Sequence, residues 1–233
     1  MGAFHAVAPD TRASSRVTAR RRRAGSVLGA AASAVVMGAL VVPPSTFAQP
    51  RTDPAVVALA RALDRRMTVW THGSRVVYVS HCRAARGGCP ARVASFARMI
   101  GSASLHHDLD PFLLAAVAVR ESGMNPLAAG SAGERGIVQL HPRGSGSHVR
   151  YVQSETYRQR CQRRDDVCQG EVLEAGARLL SQSIEHCGGV REGLGAYNRG
   201  ECGETDYADR VMSERQRLLL LAKSDVRSVH DIN

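Results

Sequence analysis

The spacing of apolar residues changes several times along the chain, and each change predicts an element. From Pro54 to Met67 the residues Val56, Val57, Ala60, Leu63 and Met67 recur on one side of a helix, with Asp53-Pro54 forming its start. Over residues 68 to 80 the pattern becomes strand-like. Val69, Val76, Val77, Tyr78 and Val79 flank His72-Gly73-Ser74, which predicts a small hairpin in which Trp70 reads as a packing residue. A helix from Pro90 to about Ser104 places Val93, Phe96, Ala97 and Ile100 toward a core. The next segment, Phe112 to Val119, is apolar on nearly every face and must be buried. Asp110 is suited to cap it, Pro111 fits its first turn, and Gly123 can end it.

From Asn125 to Gly146 the chain is rich in Gly, Ser and Pro, too irregular for a continuous helix and long enough to wrap a cleft. Helical spacing returns over residues 152 to 163 and again from Glu171 to His186, where Val172, Ala175, Leu179, Leu180 and Ile184 repeat. A short helix through Tyr197 and a last one from Asp206 to Ala222 follow, the acidic residues from Glu201 to Asp209 suiting the start of that last helix. Val226 to Asn233 reads as a loose tail. The fold class is mainly α, a helical domain with a small N-terminal hairpin.

The N-terminus changes the picture of compartment. Arg20-Arg21-Arg22-Arg23 precedes an apolar stretch from about Val27 to Val42 and then Pro43-Pro44-Ser45-Thr46-Phe47-Ala48, the layout of a secretory signal peptide cleaved after Ala48. The stretch falls short of the ~20 residues needed to span a bilayer comfortably, so no stable membrane anchor is expected after cleavage. The expected organisation is a signal peptide over 1–48, an N-terminal extension over 49–104, a catalytic domain over 105–222 and a tail over 223–233. Residues 1 to 48 carry six Arg and one Asp, about half of the formal charge of +10, so the mature part is only mildly basic. That balance suits an anionic envelope polymer. Neither zinc spacing nor a basic recognition helix nor an aromatic RNA-binding signature is present, so nucleic acid is not an expected partner.

All six cysteines lie after the leader, and an even count in an exported chain points to disulfides. Of the 15 pairings six cysteines allow, the shortest loops favour Cys82 with Cys89, Cys161 with Cys168 and Cys187 with Cys202.

Three short motifs carry the chemistry: Arg120-Glu121-Ser122-Gly123, Gly136-Ile137-Val138-Gln139-Leu140 and Ala196-Tyr197-Asn198-Arg199-Gly200. Glu121 falls at the last turn of the apolar helix. Removal from water and the carbonyl end of the helix dipole both disfavour its charged form there, which suits an acid that must hold a proton at neutral pH. The run from Leu109-Asp110-Pro111 into Glu121-Ser122-Gly123-Met124-Asn125-Pro126, followed by Ser131-Ala132-Gly133-Glu134-Arg135-Gly136-Ile137-Val138-Gln139-Leu140-His141-Pro142, resembles the catalytic core of the soluble lytic transglycosylases, members of the lysozyme-like superfamily. The resemblance resumes at Glu174-Ala175-Gly176-Ala177-Arg178-Leu179-Leu180 and at Ala196 to Gly200, and so covers about residues 105 to 215.

That resemblance implies a lysozyme-like helical fold, peptidoglycan glycan strands as the substrate, and no metal or organic cofactor. It implies Glu121 as the single acid and base and Gln139 as a lining of the sugar cleft. Ser131 would contact an N-acetyl or hydroxyl group. Tyr197 would hydrogen-bond at or near the catalytic carboxylate, and Asn198 would hold the cleft backbone or a sugar. Ser122 and Gly136 would shape the backbone. Members cleave the β-1,4 bond between N-acetylmuramic acid and N-acetylglucosamine and leave a 1,6-anhydromuramyl end.

Two alternatives stay open at this point. One is a hydrolytic muramidase using a second carboxylate, with Glu134 the nearest in sequence, although a solvated loop glutamate is its simpler reading. The other is a catalytically weak wall-binding or assembly protein. Two positions depart from the common pattern, where Met often stands in place of Val138 and of His141; His141 reads as a rim residue rather than a metal ligand. The cysteines and the hairpin lie outside the shared motifs, and either stabilise the domain or attach it to envelope or secretion machinery.

Overall fold

The computed structural model describes residues 53–161 and 164–223, so the expected signal peptide and most of the tail lie outside the described residues. Helix α1 spans Pro54–Met67, and its capping residue Asp53 accepts a hydrogen bond from the Ala55 N–H at 2.8 Å. Its buried stripe is Leu59, Ala62, Leu63 and Met67. Of the expected face, Leu63 and Met67 are buried and Val56 and Ala60 pack partly against the core, while Val57 is 45% exposed and Leu59 and Ala62 take its place against α3 and α10.

Strands β1 (Thr68–His72) and β2 (Arg75–Tyr78) form the hairpin, with Trp70 opposite Val77, Thr71 opposite Val76 and His72 opposite Arg75. Trp70 does not pack in a core. Two strands alone bury neither face, and Val69, Trp70 and Val76 remain exposed, with the Arg75 guanidinium 5.8 Å from the centre of the Trp70 ring.

Helix α2 (Ser80–Arg83) is joined to α3 (Gly88–His106) by the Cys82–Cys89 disulfide. α3 starts two residues before Pro90, which leaves the proline in the first turn, where it needs no N–H partner. Helix α4 (Pro111–Ser122) buries every side chain from Phe112 to Val119. Asp110 caps it by accepting the Phe112 N–H at 2.9 Å, and Gly123, at φ +62, ends it in a left-handed turn that a residue with a Cβ adopts only under strain.

The segment after α4 is irregular, held by isolated bridges from Arg135 to Ala129 and to Leu140. The helix expected over 152 to 163 is two pieces, α5 (Arg150–Gln153) and α6 (Glu155–Cys161). Ser154 separates them: its backbone is extended, and its hydroxyl accepts the Tyr157 N–H at 3.1 Å, so it acts as an N-cap rather than a mid-helix residue. Helices α7 (Asp165–Cys168), α8 (Gly170–Cys187), α9 (Val190–Arg199) and α10 (Asp206–Lys223) complete the order.

α10 packs along both α1 and α4. Arg66 on α1 meets the buried Glu214 on α10 at 2.6 Å, and Arg215 on α10 donates to Asp110 at the start of α4. These pairs fix the register of α10 against the helix that carries Glu121. Cys161 pairs with Cys168 and Cys187 with Cys202, with Cα separations of 6.0 and 5.5 Å, so all three expected disulfides are formed. Among the described residues no helix is long and apolar enough to cross a membrane, and no group of three His, Cys, Asp or Glu is arranged to hold a metal ion.

Candidate active site

Glu121 occupies the penultimate position of α4, where the helix leaves the core, so its backbone is fixed by buried neighbours while its side chain reaches a cleft of about 490 Å³. The next residue turns the other way. Ser122 Oγ lies 2.7 Å from the Ile137 carbonyl oxygen and 3.1 Å from that of Ala118, and so joins the end of the helix to the Gly136–Gln139 loop.

That loop is shaped by close packing. At Gly136, φ is +84, and a Cβ would stand 2.8 Å from both Gln169 Oε1 and Val172 Cγ1, so only glycine fits without displacement. Gln139 follows with φ +47, a left-handed conformation rare for a residue with a side chain, offset by two hydrogen bonds from its own amide to the Gly136 carbonyl at 2.8 Å and the Ala128 carbonyl at 3.2 Å. Val138 between them is buried, so it supports the cleft from behind.

The cleft brings together the expected acid and sugar-binding residues, Glu121, Ser131, Gln139, Tyr197 and Asn198, together with Glu134 and His141. Glu134 is half-buried, with Oε2 accepting the Ala132 N–H at 3.0 Å, rather than fully solvated. His141 stands in the wall with Nδ1 accepting the Arg143 N–H at 3.2 Å. Leu179 of α8 adds an apolar patch.

The hydrogen bond expected at the carboxylate comes from a different phenol. Tyr197 donates to the Val138 carbonyl at 3.0 Å, while Tyr207, in the first turn of α10, donates to Glu121 Oε1 at 2.5 Å. Tyr207 was missed because an acidic helix start around it gave no sign that its ring is buried. The one available signal was an aromatic residue on the inner face of that first turn.

Burial lifts the Glu121 carboxyl above the ordinary carboxylate value; the hydrogen bond from Tyr207 opposes this, the charge of Glu134 adds to it, and Arg120 opposes it more weakly. Tyr197 and Tyr207 are held well above the ordinary phenol value, chiefly by burial, so both remain protonated donors. The site thus presents one carboxyl group biased toward its acid form, a phenol fixed against one of its oxygens, and hydroxyl and amide groups around it. Such a set can give a proton to an ether oxygen and later take one back.

A second hollow of about 630 Å³, lined by Arg135, Tyr151 and Arg158 among others, contains none of the expected site residues. No solved structure matches the chain. The family description "Transglycosylase SLT domain" matches residues 98–219, from within α3 to the last turns of α10, just over half of the chain. With the fold, the cleft and all three motifs inside or lining that span, the chain belongs to the transglycosylase SLT domain family.

Proposed function

We propose that this protein is an exported lytic transglycosylase that cleaves the β-1,4 bond between N-acetylmuramic acid and N-acetylglucosamine in peptidoglycan and leaves 1,6-anhydromuramyl ends. The reading rests on the half-buried Glu121 carboxyl at the end of α4, raised in proton affinity and held by Tyr207 within the cleft of a transglycosylase SLT domain. Export is supported by the three disulfides and by the leader-like N-terminal sequence.

In the first step the Glu121 carboxyl gives its proton to the glycosidic oxygen as the bond from muramyl C1 to that oxygen breaks. The muramyl acetamido oxygen bonds to C1 and takes up the developing positive charge. In the second step the Glu121 carboxylate accepts the proton of the muramyl C6 hydroxyl, O6 bonds to C1, and the acetamido oxygen leaves. Glu121 ends as it began, protonated, and no water is consumed. Ser131, Gln139 and Asn198 are assigned to sugar hydroxyl and acetamido groups, and Tyr197 to holding the Val138 carbonyl that backs the cleft.

A hydrolytic reading has one specific observation in its favour: Glu134 lines the same cleft as Glu121 and raises its proton affinity. Digestion in water enriched in oxygen-18 separates the two. Transglycosylation predicts products one water lighter than reducing muropeptides and free of the label; label at the muramyl C1 oxygen would establish hydrolysis.

A further inference from the structure

Gln169 lies outside the three motifs, yet its side chain bonds the backbone of the loop that carries Gln139. It is fully buried at the junction of α7 and α8, one residue after Cys168, whose disulfide to Cys161 ties that junction to α6. Its Oε1 accepts the Ile137 N–H at 2.8 Å, and Gly136 is seated directly against the same oxygen. Its Nε2 has no hydrogen-bond partner among the described residues. An amide buried with one end unsatisfied is a poor way to fill a core, so what distinguishes Gln169 from an apolar residue of the same length is the bond made by its oxygen.

The backbone of Ile137 is held on both of its sides. Gln169 takes its N–H, and Ser122, the residue after Glu121, reaches the carbonyl oxygen of the same residue. Tyr197 holds the next carbonyl, that of Val138. The loop therefore has a fixed distance to the core on one side and to the end of α4 on the other.

We infer that Gln169 is a positioning residue for Glu121, acting through the backbone of Ile137 and Ser122. This rests on the proposed role of Glu121 as the acid, and it predicts that loss of the Gln169 oxygen loosens the loop, admits water beside the carboxyl and misplaces it relative to the sugar.

The test compares Gln169→Met, which keeps the length but not the oxygen, Gln169→Asn, which withdraws the oxygen, and Gln169→Glu, whose protonated side chain keeps it. Cleavage of purified peptidoglycan gives kcat and KM, and carbon NMR of the Glu121 carboxyl gives its titration without need of activity. Met and Asn are expected to lower kcat by about tenfold or more with KM within about twofold, and Glu to retain most of the rate at mildly acid pH. The Glu121 midpoint should fall toward the ordinary carboxylate value in Met and Asn. If Met does not fold, Asn decides alone. A folded variant lacking the oxygen with wild-type kcat and an unmoved Glu121 midpoint overturns the assignment. Should the midpoint move while the wild-type protein cleaves no glycan, the positioning role stands and the proposed activity falls.

Discussion

Tyr207 donates its hydroxyl to Glu121 Oε1 across 2.5 Å, joining the first turn of α10 to the last turn of α4. The contact spans 86 positions of sequence and lies on a helix that the Arg66–Glu214 and Arg215–Asp110 pairs join to α1 and to the start of α4. A hydrogen bond given to a carboxylate favours its charged form, so the Tyr207 contact restrains a proton affinity that burial raises.

Tyr207→Phe removes the bond and leaves the burial, so the Glu121 proton affinity rises and the alkaline limb of kcat/KM moves to higher pH. The rate at the optimum falls by about 10- to 100-fold, the worth of a hydrogen bond to a charged group when it is used in the transition state. A pH–rate profile checks both; a limb that stays in place or moves to lower pH contradicts the assignment.

Glu134 acts with the opposite sign. Its negative charge raises the Glu121 proton affinity, so Glu134→Gln should move the same alkaline limb to lower pH while leaving cleavage intact. Complete loss of cleavage in this variant, with the fold retained, would instead mark Glu134 as a second catalytic carboxylate.

Glu121 is also expected to cost the fold stability. A carboxyl whose proton affinity is higher folded than unfolded adds no penalty below its unfolded pKa; the penalty builds as pH rises through the interval up to the folded pKa and persists above it. Glu121→Gln should therefore raise Tm at pH 7, and the gain should vanish at a pH below the ordinary carboxylate value. Calorimetry at the two pH values measures this. A variant less stable than wild type at pH 7 would show that the carboxylate is stabilising where it stands.

The Cys187–Cys202 bridge closes a loop of sequence separation 15, from the end of α8 past α9 to the segment before α10. A bridge over such a loop stabilises by about 3 kcal/mol in the chain-entropy picture. The double replacement of both cysteines by serine should lower Tm by about 6–12 °C for a domain of this size. An unchanged Tm would mean that this loop is held by its other contacts alone.

Much of this arrangement is written in local sequence. Asp110, Pro111 and Gly123 bound α4 because caps and helix ends depend on neighbouring residues, and an all-apolar segment between them has nowhere to go but the core. The three disulfides join the nearest cysteines, as loop closure favours. The cleft residues were found because their motifs lie in short runs. What local sequence does not carry is which distant surfaces meet. Trp70 reads as core in a strand, but its hairpin has no third strand to cover it. Ser154 fits a helical pattern until its hydroxyl competes for a backbone N–H. Tyr207 and Gln169 have no motif around them, and each acquires its place only when a remote helix is docked, Tyr207 on Glu121 and Gln169 on Ile137.

Glu121 is assigned as both acid and base in a cleavage that consumes no water. Mass spectrometry of peptidoglycan digested by residues 49–233, with Glu121→Gln in parallel, is the decisive test of that assignment. 1,6-Anhydromuramyl ends are expected from the wild type and none from the variant; reducing muramyl ends from the wild type, or anhydro ends that persist in Glu121→Gln, would overturn the assignment.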